Sequence, residues 1–265
     1  MKLRRAAIDT VWIAWMAIGY IVVLMPIVVV FFASFSDGNT FRFPPSGFSL
    51  KWYQAAFESS EYRNALSVSL LVGILATLVS LTAGTLAAYA LSRSTFRGKT
   101  MIETLLLAPL ALPHIVWAIG LLQIYAWLSI GGTLLGLVLA HAALTLPFAV
   151  RIMLSTFSQL DKTLQDAATT LGASPMRVVV HIVLPLIWPG VLTSALFTFL
   201  TSFNEVTVSV LIAGSRYLTY PVRLYSELRS QGIDPTTIAI SAMLVAMIIV
   251  FALIGERFLN WSRRV

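Results

Sequence analysis

Few side chains in this sequence are suited to chemistry, and the most isolated of them is Glu205. It is the one acid that lies well within an apolar run and away from its ends. Burying a carboxylate at the centre of a bilayer costs at least about 2.5 kcal/mol on insertion scales, so an intramembrane acid is a functional candidate by default. Ser194, Thr198, Thr201, Glu205 and Ser209 follow one another at intervals of four, three, four and four residues, and Asn204 adjoins them. Those intervals place the five down one side of a helix. A stripe of this kind lines a cavity or a path, or it binds one helix to another, with the acid paired to a basic or amide group on a partner chain. A carboxylate in a path suits a cationic solute, because it offsets the desolvation of an amine.

Other reactive groupings are scarce. His114 and His141 stand in different expected spans, and two hydrogen-bonded or pore-facing histidines are a simpler reading than a metal pair. Gly98-Lys99-Thr100 has the look of the end of a phosphate-binding loop, but the full motif needs glycine where Arg93 stands. No His-Glu-x-x-His or Gly-x-Ser-x-Gly occurs. Cysteine is absent, which excludes disulfides and thiolate metal sites. The expectation is a chain that is no enzyme, with no catalytic residue, metal or cofactor of its own. The net charge of +7 is not accompanied by basic runs interleaved with aromatics. It reads as anchoring on a cytoplasmic face, not as nucleic-acid binding.

The elements that hold these residues are membrane spans. The 265 residues are 58% hydrophobic and 11% charged, against about 25% charged in a soluble domain. The fold class is therefore all-α and polytopic, in a lipid bilayer. With about 20 apolar residues per span, the spans fall at about residues 11–33, 64–92, 101–128, 133–157, 186–212 and 235–258 of one transmembrane domain, 1–265. The first is too long for a signal-peptide core of about 7–15 residues, and it is read as retained, with Pro26 as a kink. Residues 104–150 carry no charge; as one helix they would be about 70 Å long, so they divide, at the turn signal Ser129-Ile-Gly-Gly132. With both termini inside, twelve of the 18 Lys and Arg side chains, Arg263 and Arg264 among them, lie on the cytoplasmic side. No internal repeat is visible, which speaks against a self-contained inverted-repeat carrier.

One cytoplasmic segment, 160–185, is itself patterned. Leu160, Leu164, Ala167, Ala168 and Leu171 give a first helix one apolar face. Gly172 sits at a left-handed C-cap. Ser174 caps a second helix that begins at Pro175, carries Arg177 and His181 on one face and Met176, Val179, Val180 and Val183 on another, and ends at Leu184-Pro185. The plain reading is an amphipathic linker on the membrane surface.

The same segment resembles the cytoplasmic loop of binding-protein-dependent ABC importer permeases of the MetI-like, type I class. That pattern is Glu-Ala-Ala, three residues, Gly, nine residues, Ile-x-Leu-Pro. Here Asp166-Ala167-Ala168, Gly172 and Ile182-Val183-Leu184-Pro185 fall at those intervals, with Asp for Glu. Leu50-Lys-Trp-Tyr53, Tyr89-Ala-Leu-Ser-Arg93 and Leu107-Ala-Pro-Leu110 are further points of likeness. Ser202-Phe203-Asn204-Glu205 is similar to the second permease subunit of spermidine/putrescine importers, whereas His114 stands where relatives often carry Glu.

The resemblance implies a bacterial inner-membrane subunit that pairs with a second permease, two ATP-binding subunits that bind ATP and Mg, and a soluble substrate-binding protein at the outer face. Coupling to the ATPase would fall to Asp166, Ala167, Ala168, Gly172, Ser174, Pro175 and Arg177. The solute would be a polyamine, or another amine, an amino acid, a phosphonate or a metal ion. The competing class is an ion-coupled secondary transporter using Glu205, which would have no use for the spacing of 166–185.

Overall fold

The computed structural model describes residues 2–230, 232 and 234–259, with side chains for all of these but 2–10, 162 and 251–259. Arg263 and Arg264 of the charge count lie outside the described residues. Among the described residues every regular element is a helix, apart from one isolated antiparallel bridge between Ser36 and Phe48. It divides into two compact units, residues 1–63 with 226–265, and residues 64–225.

In the first unit, α1 (Lys2–Ala33) packs against α12 (Pro235–Leu259), which also meets the short helix α2 (Lys51–Glu58). α1 continues through Pro26, and its side chains from Val11 to Phe32 are mostly exposed, as lipid contact requires. Ser34 Oγ and Tyr53 OH lie 2.6 Å apart, and Tyr53 stacks on Phe35 with ring centres 5.2 Å apart. Tyr62 OH shares a hydrogen bond with Thr237 Oγ1 at 2.8 Å, and both hydroxyls reach the Glu227 carboxylate.

The second unit is built on α3 (Ser60–Arg93), α6 (Leu134–Ser158) and α9 (Leu184–Phe203). Small residues let these helices close on one another. A Cβ at Gly84 of α3 would stand 2.6 Å from Ala149 Cβ of α6, and one at Gly190 of α9 would stand 2.2 Å from Thr156 Oγ1 of α6. Thr145 Oγ1 donates to Ser80 Oγ at 3.1 Å, a polar tie between α6 and α3. Around these contacts lies a core of Val72, Ala118, Tyr125, Leu137, Leu144, Val208 and Ile212.

Among the described residues four helices are long and apolar enough to cross a bilayer: Val11–Ala33, Ser60–Arg93, Leu134–Ser158 and Pro175–Phe203. The other two expected spans take different forms. Residues 101–128 are not one helix. α4 (Lys99–Leu107) runs through a 3-10 turn, Ala108–Ala111, and meets α5 (His114–Leu128) at 107°. The cause is local: Pro109 and Pro113 remove two donors, and the residue ahead of a proline is driven out of the helical region, as Leu112 is at ψ 137°. The sixth expected span, 235–258, falls on α12 (Pro235–Leu259), whose residues Pro235–Val250 are apolar. The turn at 129–132 stands where the sequence placed it, with Ser129 at φ 55° and Gly132 at φ 70°.

Two further expectations are corrected. The second helix of the patterned segment does not stop at Leu184-Pro185. α8 (Pro175–Val178) passes through a π turn, Val179–Val183, directly into α9. Pro185 cannot donate to the carbonyl of His181, and its ring crowds that carbonyl in a regular turn; the wider π turn relieves both. The span 186–212 is also interrupted. α9 ends at Phe203, and α10 (Thr207–Ile212) begins only after Asn204, Glu205 and Val206. Asn204 Nδ2 donates to the Leu200 carbonyl at 2.9 Å, side-chain competition of the kind that ends helices.

Candidate functional site

Two places gather the residues singled out in the sequence, and both lie in the second unit. The first is the interruption between α9 and α10. Glu205 is 6% exposed. One carboxylate oxygen, Oε1, accepts the backbone N–H of Val208 at 3.0 Å and so caps the start of α10. The other, Oε2, lies 2.9 Å from His114 Nδ1. His114 is the first residue of α5, immediately after the 107° bend. One side chain from each of two helix interruptions therefore meets the other.

His141 of α6 holds the interruption from its inner side. It is 1% exposed. Its Nδ1 lies 2.8 Å from Ser202 Oγ, on α9, and its Nε2 lies 2.9 Å from Ser209 Oγ, on α10. Ser209 Oγ already donates its hydrogen to the Glu205 carbonyl at 3.0 Å. It must then accept from His141, which fixes the proton on Nε2 and leaves Nδ1 to accept from Ser202. One imidazole thus ties both half-helices to α6, and Glu205 is presented from a braced break.

The polar stripe is real, but its register shifts at the break. Ser194, Thr198, Ser202, Glu205 and Ser209 are buried, while Thr201 is only half-buried and Asn204 is exposed. Thr198 Oγ1 donates to the Ser194 carbonyl, and Ser194 Oγ is buried with no partner. Ser194, Thr198, Ser202 and Ser209 thus sit inside the packed unit, while Asn204 and the outer edge of the Glu205–His114 pair reach its surface. The His114 partnership was not foreseen from the sequence. The available signal was Leu112-Pro113-His114, a proline-terminated turn delivering a histidine into a charge-free run.

The second place is the segment 160–185. Asp161 caps α7 (Lys162–Thr170) by accepting the Thr163 N–H at 2.9 Å. The Thr163 backbone and then its side chain hold the Asp161 carboxyl below its ordinary value. Gly172 is left-handed at φ 86°. Its N–H donates to the Thr169 carbonyl at 2.9 Å, and the Ala173 N–H donates to the Ala168 carbonyl at 3.0 Å. These two bonds are a Schellman cap. Pro175 is the first residue of α8, although the Ser174 side chain makes no capping bond.

The faces of this segment differ from the sequence expectation. Leu160, Ala168, Ala173, Val178, Ile182 and Val183 pack with Met153, Phe157 and Ile187 of the long helices. Leu164, Leu171 and Met176 point away and are 49%, 88% and 72% exposed, alongside exposed Asp166, Ala167 and Arg177. The result is a two-helix knob fixed to the bundle on one side, with an apolar outer face rimmed by an acid and a base.

Comparison with known proteins agrees with this arrangement. The chain is 28% identical over 243 residues to the spermidine/putrescine transport system permease protein PotC of Haemophilus influenzae, covering 92% of this chain and 94% of that protein. It is 27% identical over 210 residues to the putrescine transport system permease protein PotI of Escherichia coli K12, covering 77% and 74%. To the osmoprotective compounds uptake permease protein GgtD of Synechocystis it is 31% identical over 211 residues, covering 78% and 71%. Among solved structures, a chain of a bacterial ABC transporter that imports alginate superposes with a TM-score of 0.73 at 17% identity, covering 96% and 97%. At that identity the likeness concerns the fold. The family model for the inner membrane component of binding-protein-dependent transport systems matches residues 80–264, a range that contains both the knob and the Glu205 break. This chain belongs to that family of binding-protein-dependent transport system inner membrane components.

Proposed function

We propose that this chain forms half of the translocation path of an ATP-driven importer for a polyamine of the spermidine/putrescine kind, working by alternating access. The observation that carries the substrate class is the Glu205 carboxylate, buried at a helix break in an otherwise charge-free region. Likeness to polyamine permeases over most of the chain supports it. Ammonium groups must shed water to cross, and a fixed carboxylate offsets that cost. Glu205 and Asn204 face the path in this reading, with Thr201 at its edge. Ser202 and Ser209 hold the flanking half-helices to α6 through His141, while Ser194 and Thr198 lie buried along α9.

Six spans with both termini in the cytoplasm place the knob on the inner face of a bacterial cytoplasmic membrane; the basic-residue count supports this orientation. A second permease chain, two ATP-binding subunits and a soluble binding protein complete the assembly. ATP and Mg bind the ATPase subunits. The exposed face of Leu164, Asp166, Ala167, Leu171 and Met176 seats in an ATPase cleft, with Ala168, Gly172, Ser174, Pro175 and Arg177 shaping or rimming the contact. A second reading, an osmoprotective solute, draws on the 31% identity to GgtD and on the Glu205 carboxylate being already engaged by His114 at 2.9 Å.

The test is uptake into proteoliposomes holding the full complex, with labelled spermidine, putrescine and a neutral osmolyte offered separately. Polyamine uptake that collapses in Glu205→Gln, with assembly and ATPase activity retained, is the expected result. Unchanged uptake in that variant removes Glu205 from the mechanism, and uptake of the neutral osmolyte alone establishes the second reading.

A further inference from the structure

The geometry points to His114 as a resident partner for Glu205, one that the travelling ammonium group must displace and that closes on the carboxylate again after it leaves. This inference rests on the reading of Glu205 as the acid that meets a cationic solute, and it adds a role for a residue in another helix.

Four observations carry it. His114 Nδ1 and Glu205 Oε2 are 2.9 Å apart, so imidazole and ammonium are alternative partners for the same oxygen. The pair is exposed asymmetrically: the carboxylate is 6% exposed and the imidazole side chain 45%. A group arriving from the open side meets the histidine first. Both residues sit at helix interruptions, the 107° bend ahead of α5 and the gap between α9 and α10. Small rotations at such breaks separate the pair without unwinding a helix. Finally, the bracing is one-sided. Glu205 is held through its own carbonyl, Oε1 and the His141–Ser202–Ser209 network, whereas among the described residues the His114 side chain is tied to Glu205 alone.

No other charge competes for the pair within the elements around it. α5 and α10 carry no Asp, Glu, Lys or Arg. The apolar stretch of α3, residues 64–92, carries none, and neither does α9. On α6 the ionisable groups are His141, committed to two serines, and Arg151, ten residues further along the helix. A half-exposed imidazole–carboxylate pair in a charge-free region cannot face lipid tails, so its open side faces a water-filled path or the sister permease. The arrangement explains how an acid is kept in the membrane when no substrate is present: the empty path never leaves the carboxylate bare.

Protonated histidine holds a carboxylate as an ion pair, and neutral histidine holds it only by a hydrogen bond. The solute therefore competes against a stronger incumbent in acid. The experiment measures initial polyamine uptake per ATP hydrolysed in proteoliposomes holding the complete importer with saturating loaded binding protein. The variants are His114→Gln, His114→Lys and Glu205→Gln. For the unaltered chain, uptake per ATP falls by about tenfold between roughly pH 8 and pH 5. His114→Gln, which keeps a donor but cannot charge, flattens that response to within about twofold. His114→Lys, a permanent cation, is slow across the whole range. A wild-type pH response in assembled His114→Gln overturns the inference; should His114→Lys fail to assemble, that comparison alone decides. Full uptake in Glu205→Gln instead overturns the underlying reading of the carboxylate, so the two failures are told apart.

Discussion

Replacement of Gly172 separates the shape of the knob from its chemistry. The residue stands at φ 86°, and a Cβ built there meets nothing within 4 Å. Substitution therefore adds no clash with a neighbour. Its whole effect falls on the backbone. An L-residue held in the left-handed region costs about 1–2 kcal/mol, and a β-branched residue is worse placed there than Ala, while Asn tolerates it. If the chain at 172 leaves that region, the Gly172–Thr169 and Ala173–Ala168 bonds of the cap open together. Ala168 and Ala173, which pack on the same core as Met153 and Phe157, then lose their seats, and α7 no longer keeps its angle to α8.

A penalty of about 1.4 kcal/mol is a factor of ten in the population of the docked knob, and Val at about 2 kcal/mol or more approaches a factor of thirty. The assay is ATP-driven uptake compared with ATPase activity of the complete importer, measured for Gly172→Asn, Gly172→Ala and Gly172→Val. Uptake per ATP is expected to fall in that order, with Asn close to the parent. Normal uptake by Gly172→Val refutes the two-helix knob as the coupling element. Equal loss in all three variants refutes the left-handed cap as the reason glycine is needed.

Three further substitutions test the supports of the two sites. Gly190→Ala should force a Cβ to within 2.2 Å of Thr156 Oγ1 and 2.6 Å of its Cγ2; the overpacking costs about 1–3 kcal/mol, read as a lower unfolding midpoint in detergent and partly restored by Thr156→Ala. His141→Ala removes two side-chain bonds that bridge the break and leaves buried hydroxyls unsatisfied, a loss of about 1–3 kcal/mol; uptake should drop further than stability explains, because Glu205 loses its brace, and the same fractional loss in both refutes a positioning role. The Asp161 cap carries a pH signature. Its carboxyl is held below the ordinary value, so its contribution is present above the ordinary carboxylate range and is lost as pH falls through the lowered value. Hydrogen exchange at the Thr163 amide should accelerate there in the parent chain and not in Asp161→Asn, which caps in either condition.

What the sequence revealed and what it hid divide along a physical line. Hydrophobic length located α3 and α6 to within a few residues, and the end of α1 though not its start at Lys2, because the bilayer thickness sets that pattern. Local backbone chemistry was equally readable: Gly172 needed a left-handed turn, and Pro175 suited a first helical position. The interruptions were harder. Hydropathy is blind to them, since Leu112-Pro113 and Phe203-Asn204 lie inside runs that are apolar by any average. The proline signal at 113 was present in the sequence but was outweighed by the length of the run. At 204–206 there is no glycine or proline at all. That break is made by side chains, Asn204 taking the Leu200 carbonyl and Glu205 taking the Val208 amide.

The shift from Thr201 to Ser202 follows from the same cause. An unbroken helix sets 201, 205 and 209 on one face; pausing for three residues resets the phase, so that Ser202 and Ser209 converge on His141. Periodicity found the stripe and could not find its partner, because the partner lies on α6, 61 residues from Ser202 in sequence. The consequence reaches the mechanism. An acid on a continuous helix would be a fixed charge on a wall. An acid between two half-helices, braced behind by one histidine and closed in front by another, is a charge whose exposure changes when the half-helices turn. The proposed alternating access requires that the site change its exposure while staying intact, and on that proposal the paired interruptions at 112–113 and 204–206 are the joints.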